Sequence, residues 1–155
     1  MKSYAPLSDS TLEEFKKFCK VEEIKKNEQI NSFGEVSDSF FFVVKGIFRA
    51  FVLGGDEGER EVVKNFFEEG RFPASITSML RNEESNFCIQ ALEDSIVIRI
   101  NFNKYRELLK KADDLKWYHI QYLEKHWLLE REPQELSLLN QDSDKRNLSF
   151  LNQYP

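Results

Sequence analysis

The sequence predicts an all-β body of the sandwich or jelly-roll kind flanked by helices, and three observations carry that prediction. From Val21 to Ile100, runs of β-branched and aromatic residues are separated by Gly, Asn, Asp and Ser. The apolar runs at residues 40–44 and 47–53 stand so close around Gly46 that a hairpin is the natural connection. Before and after this stretch the apolar residues recur every three or four positions, the period of a helix buried on one face. Many short strands with tight turns favour a double sheet or a closed roll.

Each element follows in order. Leu7-Ser8-Asp9-Ser10-Thr11-Leu12 opens a first helix, with Ser8 placed to cap the free amides and Leu7 and Leu12 at the two positions of a hydrophobic staple. Leu12, Phe15, Phe18 and Cys19 then form one buried face, while Glu13, Glu14, Lys16 and Lys17 face water. Strands are expected near residues 22–25, 40–44, 47–53, 61–67, 87–92 and 96–100, with turns at Lys45-Gly46, at residues 54–59 and at Glu93-Asp94-Ser95.

After Ile100 the period is helical again. Asn101 or Asn103 caps a helix whose Phe102, Tyr105, Leu108, Leu109 and Ala112 make an apolar stripe. Asp113 or Asp114 opens a longer helix from residue 115 to about residue 129, bent or ended near Pro133. It carries two stripes, Leu115, Tyr118, Tyr122 and Leu129 on one side, and Ile120, Leu123 and Trp127 on another. One globular body covers only one stripe, so the second asks for a partner helix in a homodimer, or for burial beneath the C-terminal segment. Asp142 or Ser143 caps a last helix over residues 145–153.

Composition bounds the function. The 155 residues include 14 Phe but only 6 Gly and 4 Pro, which excludes wholesale disorder and suits one domain. With 22 Lys plus Arg against 27 Asp plus Glu, the net charge of −5 gives no long-range attraction to polyphosphate or anionic lipid. The longest uncharged apolar run, residues 40–44, is far short of the roughly 20 residues of a membrane helix. Met1-Lys2-Ser3-Tyr4-Ala5-Pro6 lacks a secretory core, so a cytoplasmic protein is expected.

Catalytic signatures are missing. Cys19 and Cys88 lack metal-type spacing and read as buried structural thiols. A metal-dependent cupin-like enzyme needs His on its strands, whereas His119 and His126 both fall on the long helix, seven residues apart on one face. No Gly-rich phosphate loop, HExxH or GxSxG occurs, so neither metal nor cofactor is expected.

Phe41-Phe42-Val43-Val44-Lys45-Gly46-Ile47-Phe48-Arg49, then Glu69-Gly70-Arg71-Phe72, then Gln90-Ala91-Leu92-Glu93-Asp94-Ser95 carry a resemblance. Their order resembles the cyclic-nucleotide-binding sensor domain of the CRP/FNR family of bacterial transcription regulators, with its strand-Lys-Gly-strand hairpin. The branch common in Bacteroidetes-like genomes is closer still, through Ala91-Leu92-Glu93-Asp94 and Phe150-Leu151-Asn152-Gln153-Tyr154-Pro155. The resemblance spans nearly the whole chain. It implies a double-stranded β-helix, or jelly roll, of the cyclic-nucleotide-binding-domain type plus a long C-terminal dimerisation helix. Residues 1–112 would be the β-roll sensor, 113–140 the dimerisation helix, and 141–155 the start of a linker to a DNA-reading winged helix beyond Pro155.

In cyclic-AMP-binding members of that family, a phosphate cassette supplies a Glu for the ribose and an Arg for the cyclic phosphate. Laid on without a gap, that Glu falls on Ser75 and that Arg on Ser85. The pocket implied is Gly70, Phe72, Ala74, Ser75, Ile76, Thr77, Ser85, Asn86 and Phe87, with residues 73–79 forming a short helix whose amide end faces it. Losing an Arg–phosphate pair removes about 1.5–3 kcal/mol, so cyclic AMP is expected to bind weakly or not at all. The pocket then takes an unknown neutral or weakly anionic small-molecule effector, or is vestigial, with Arg71 and Arg81 nearby as substitute cations. The partner expected is a second copy across Ile120, Leu123 and Trp127, with DNA reached only through a further domain and no membrane contact. A cupin-like enzyme and a stand-alone interaction module are the rival classes.

Overall fold

The computed structural model describes residues 4–129 together with Pro133 and Leu136. The side chain of Trp127 lies outside the described residues, as do the helix expected over residues 145–153 and the linker over 141–155. The chain divides into two units, Asp9–Ala112 and a second that joins the N-terminal residues up to Ser8 to the chain from Asp113 onward.

The first unit runs α1 (Asp9–Lys16), β1 (Cys19–Ile24), β2 (Gln29–Asn31), β3 (Ser39–Lys45), β4 (Phe48–Gly54), β5 (Arg60–Phe67), α2 (Ile76–Arg81), β6 (Cys88–Ala91), β7 (Ser95–Asn101) and α3 (Phe102–Lys111). The strands form two antiparallel sheets, ordered β1-β7-β3 and β2-β6-β4-β5. Ile24, Phe41, Val43 and Val97 from the first sheet meet Phe48, Ala50, Ile89 and Ala91 from the second, with Phe87 among them, as one core. Burying a side chain of the Phe or Ile class stabilises by about 1.5–3 kcal/mol.

Strand β3 shows why its sequence is a continuous apolar run. Phe41 and Val43 enter the core, while Phe40 meets Tyr105 edge-on at 4.9 Å between ring centroids and Phe42 meets Phe72, also at 4.9 Å. Over residues 40–43 both faces of the strand are covered, whereas Val44 is 44% exposed. The turn after it needs Gly46, whose φ is +108° and where a Cβ would stand 3.0 Å from the Ser95 Cα.

Two differences from the sequence expectation have local causes. Cys19 does not continue the α1 stripe: the helix ends at Lys16, and Cys19 opens β1 opposite Ile100. Its Sγ donates to the Phe15 carbonyl at 3.2 Å and stays half-buried, whereas Cys88 is buried. Strand β2 was not foreseen, because Gln29-Ile30-Asn31 offers one apolar residue and is extended by pairing with β6. At α3, Asn101 is the cap, its Oδ1 accepting from Lys104 N–H at 3.0 Å.

In the second unit, α4 (Asp113–Leu123) continues into a π-helical turn, Glu124–Leu129. Leu115 and Tyr118 are buried, and the Tyr4 ring stands edge-on to Tyr118 and Tyr122 at 5.4 and 5.2 Å. The Tyr4 hydroxyl and His126 Nε2 are hydrogen-bonded at 2.7 Å. Leu129, expected on the stripe with Leu115, Tyr118 and Tyr122, is instead 72% exposed. A π turn spans one residue more per hydrogen bond than an α turn, so side chains beyond it leave the 3.6-residue phase. Pro133, expected to bend or end the helix, is itself helical. Among the described residues no group of three or more His, Cys, Asp or Glu could hold a metal ion, and no helix is long and apolar enough to cross a membrane.

Candidate functional site

The chain between β5 and α2 is laid along β3. Gly70, at φ +84°, turns it, and Gly70 N–H donates to the Val43 carbonyl at 2.9 Å. Val43 and Phe41 N–H then donate to the Arg71 and Pro73 carbonyls at 3.0 and 3.1 Å. β7 pairs with one edge of β3, and residues 70–73 take the other. The backbone groups of the segment thereby find partners without forming a regular strand.

Ser75 follows as the N-cap residue of α2, yet its side chain makes no capping bond. Its Oγ donates instead to Ser85 Oγ at 3.0 Å. Ser85 is fixed by backbone bonds to the 34–35 loop, accepting from Gly34 N–H at 2.9 Å and donating to the Glu35 carbonyl at 2.8 Å. Asn31 Nδ2 donates both to Ser85 Oγ and to the Phe87 carbonyl, each at 2.9 Å, and Ser85 Oγ donates to that same carbonyl at 2.9 Å. Ser37 Oγ completes the cluster by donating to Asn31 Oδ1 at 2.8 Å.

Ser75 is 2% exposed and Ser85 5%. A hydroxyl has one proton and two lone pairs. Ser85 commits its proton to Phe87 and accepts from Ser75 and Asn31, so the inter-residue bonds use its whole capacity. The cluster is neutral, which makes its burial affordable without a counter-charge.

The other residues expected to line a pocket lie in different environments. Thr77 and Asn86 are exposed, and Gly70, Ala74 and Ile76 are half-buried. Phe72 packs outside the roll on Phe42 and Phe40, and Phe87 belongs to the core. Of the cations considered from sequence, Arg71 is half-buried and Arg81 exposed. Exposed Lys64 places its Nζ 4.3 Å from the centroid of the Phe87 ring.

Lys64 arrives there through an irregularity. Val63 pairs with Phe51 and Asn65 with Ala50, so Lys64 is an extra residue, a β-bulge, in β5. Asn31, Ser37 and Lys64 were all missed by sequence reasoning. Asn31 sits on the strand that pattern did not reveal, and a bulge leaves no signature in a run of exposed residues. The buried thiol of Cys88 is pushed up to about 11 by desolvation, and that of Cys19 likewise, so neither is a nucleophile at neutral pH.

Comparison with known proteins adds three findings. The model of the family described as cyclic nucleotide-binding domain matches residues 21–112. Over 110 residues the chain is 24% identical to the cAMP-activated global transcriptional regulator CRP of Salmonella typhimurium, covering 71% of this chain and 51% of that protein, and equally to the Escherichia coli O157:H7 protein. The chain thus spans about half the length of the curated relatives it matches. Among solved structures, the Thermus thermophilus catabolite activator protein superposes with a TM-score of 0.67 at 18% identity, over 88% of this chain and 62% of that one. The sensor domain of the transcriptional regulator DNR from Pseudomonas aeruginosa gives 0.65 at 20% identity, over 82% and 87%. These likenesses establish a shared fold.

Proposed function

The chain belongs to the cyclic nucleotide-binding domain family, and on that premise we propose that it is the effector-sensing and dimerisation part of a CRP/FNR-like transcription regulator that does not hold cyclic AMP tightly. The observation that carries the reading is the Ser75–Ser85 hydrogen bond. The positions onto which the family's Glu and Arg anchors fall are adjacent in space, which supports the gapless alignment, and both are occupied by neutral, buried hydroxyls. A cyclic phosphate entering there would lose water without gaining a guanidinium.

Dimerisation rests on α4. Trp117 is 54% and Ile120 42% exposed, three residues apart on one helical face. With half-buried Leu123 they form an apolar surface that a second copy of the same helix would cover. The signal would be a two-state shift of that helix, biased by the occupant of the roll and read by DNA-binding domains. Titration calorimetry with cyclic AMP and cyclic GMP tests the ligand reading. The expected dissociation constant lies above about 100 μM, and saturable binding at low micromolar concentration would overturn it. Stoichiometric iron, manganese or zinc in purified protein would favour the cupin-like enzyme instead.

A further inference from the structure

We propose that the groove between α1 and α3 is a second ligand site, one that takes an amphipathic monocarboxylate of the medium-chain fatty acid class. Its carboxylate meets Lys104 and its tail lies along Leu108, Ala112 and Phe18. The groove shares no residue with the Ser75–Ser85 cluster, so the inference goes beyond the sensor reading and stands without it. It has a volume of about 510 Å³ and lies wholly within the unit Asp9–Ala112. Small-molecule sites occupy roughly 300–1,000 Å³, with apolar walls and a few polar groups that fix orientation.

The floor supplies the apolar part. Phe18 enters from the turn after α1, and Leu108 and Ala112 from the end of α3, all three only half-buried. Lys104, Leu108 and Ala112 follow one another at intervals of four, so they stand in one row on one helical face. The row spans eight residues, about 12 Å along the axis, which suits a medium-length alkyl chain with its head at the lysine end.

The charges decide what that head carries. Glu14 and Lys17, on the α1 side, spend theirs on each other at 2.6 Å. Lys104, Glu107 and Lys111 remain on the α3 side, and among the described residues none of these three side chains is held by an ion pair or hydrogen bond. Two ammonium groups against one carboxylate leave a single positive charge, which one ligand carboxylate matches. On a helix, a Glu pairs better with a Lys that follows it than with one that precedes it. Helix α1 shows this order, Glu13 with Lys16 at 3.0 Å and Glu14 with Lys17. Glu107 precedes Lys111 and follows Lys104, so it offsets Lys111 and leaves Lys104 as the uncompensated cation.

Calorimetry on the whole chain compares sodium octanoate with uncharged 1-octanol. Both are expected to bind saturably, octanoate about threefold more tightly, the scale of an exposed ion pair. That preference should shrink at high salt, vanish in Lys104→Gln and change less in Lys111→Gln. Amide chemical shifts of the unmutated chain locate the site without any variant: the expected octanoate-induced shifts centre on residues 10–18 and 104–112. Shifts centred on residues 75–87 would place octanoate in the roll and overturn the proposal. Absence of saturable octanoate binding, or equal affinity for octanoate and octanol, would overturn it as well. A preference that survives Lys104→Gln removes Lys104 as the head-group partner.

Discussion

Ser75 and Ser85, ten residues apart in the chain, are joined by a 3.0 Å hydrogen bond between their hydroxyl oxygens, and both are almost wholly buried. The two residues differ in what depends on them. Ser75 serves Ser85 alone among the cluster bonds, whereas Ser85 joins Ser75, Asn31 and Phe87. Ser85→Ala leaves the Ser75 proton and one Asn31 proton without their acceptor, at about 1–3 kcal/mol per orphaned group. Ser75→Ala removes a donor only and costs less. Urea unfolding midpoints compare the two, and the expected order is wild type, Ser75→Ala, Ser85→Ala.

Restoring the charges should restore the ligand. The double variant Ser75→Glu, Ser85→Arg places both anchors at positions already in contact. Cyclic AMP affinity measured by calorimetry is expected to rise about ten- to a hundredfold, the worth of one charge-assisted pair. No gain would show that the cassette is aligned differently.

If the proposed dimer forms, the exposed face of α4 sets the oligomeric state. Unmutated protein at tens of micromolar should scatter light as a dimer, and Ile120→Glu or Trp117→Glu should halve the mass. Asn86→Glu, at an exposed residue of the other unit, should leave it unchanged.

The thiols make stability depend on alkaline pH. Burial raises Cys19 and Cys88 from the ordinary 9.0 to about 11, so between those values the folded chain retains protons that the unfolded chain releases. Their contribution to stability is complete below pH 9 and is lost as pH rises through 11. Thiolate absorbance followed against pH should show a midpoint near 11 in native protein and near 9 in denaturant.

Gly46→Ala tests the hairpin. A left-handed φ and a Cβ pressed against Ser95 penalise any side chain, so a loss above about 1 kcal/mol is expected in thermal or urea unfolding. Gly34→Ala, also at positive φ but with open space around it, should cost less.

The hairpin around Gly46 was legible because a run of bulky apolar residues broken by one glycine has few other readings. The cap of α3 was legible to within two residues, Asn101 or Asn103, because a polar residue stands just before a helical stripe, and the bond from Lys104 N–H selects Asn101. Ser75 and Ser85 could be paired only through the family resemblance, since two serines ten residues apart carry no pattern of their own. Lys64 was beyond reach of pattern altogether, because the β5 register that aims it depends on β4, not on its neighbours in sequence. Leu129 was misplaced for a related reason: helical spacing assumes 3.6 residues per turn, and the π turn breaks that assumption.

The 70–73 segment also protects the molecule from itself. Ser39–Lys45 contains five consecutive apolar residues with strong β propensity, the composition of an amyloid-forming stretch if its backbone edge were open. One edge is closed by β7 and the other by the loop that leads into the candidate site. Variants that loosen the loop at Gly70 or Pro73 would therefore betray themselves first as insolubility on expression, before any loss of effector binding could be measured.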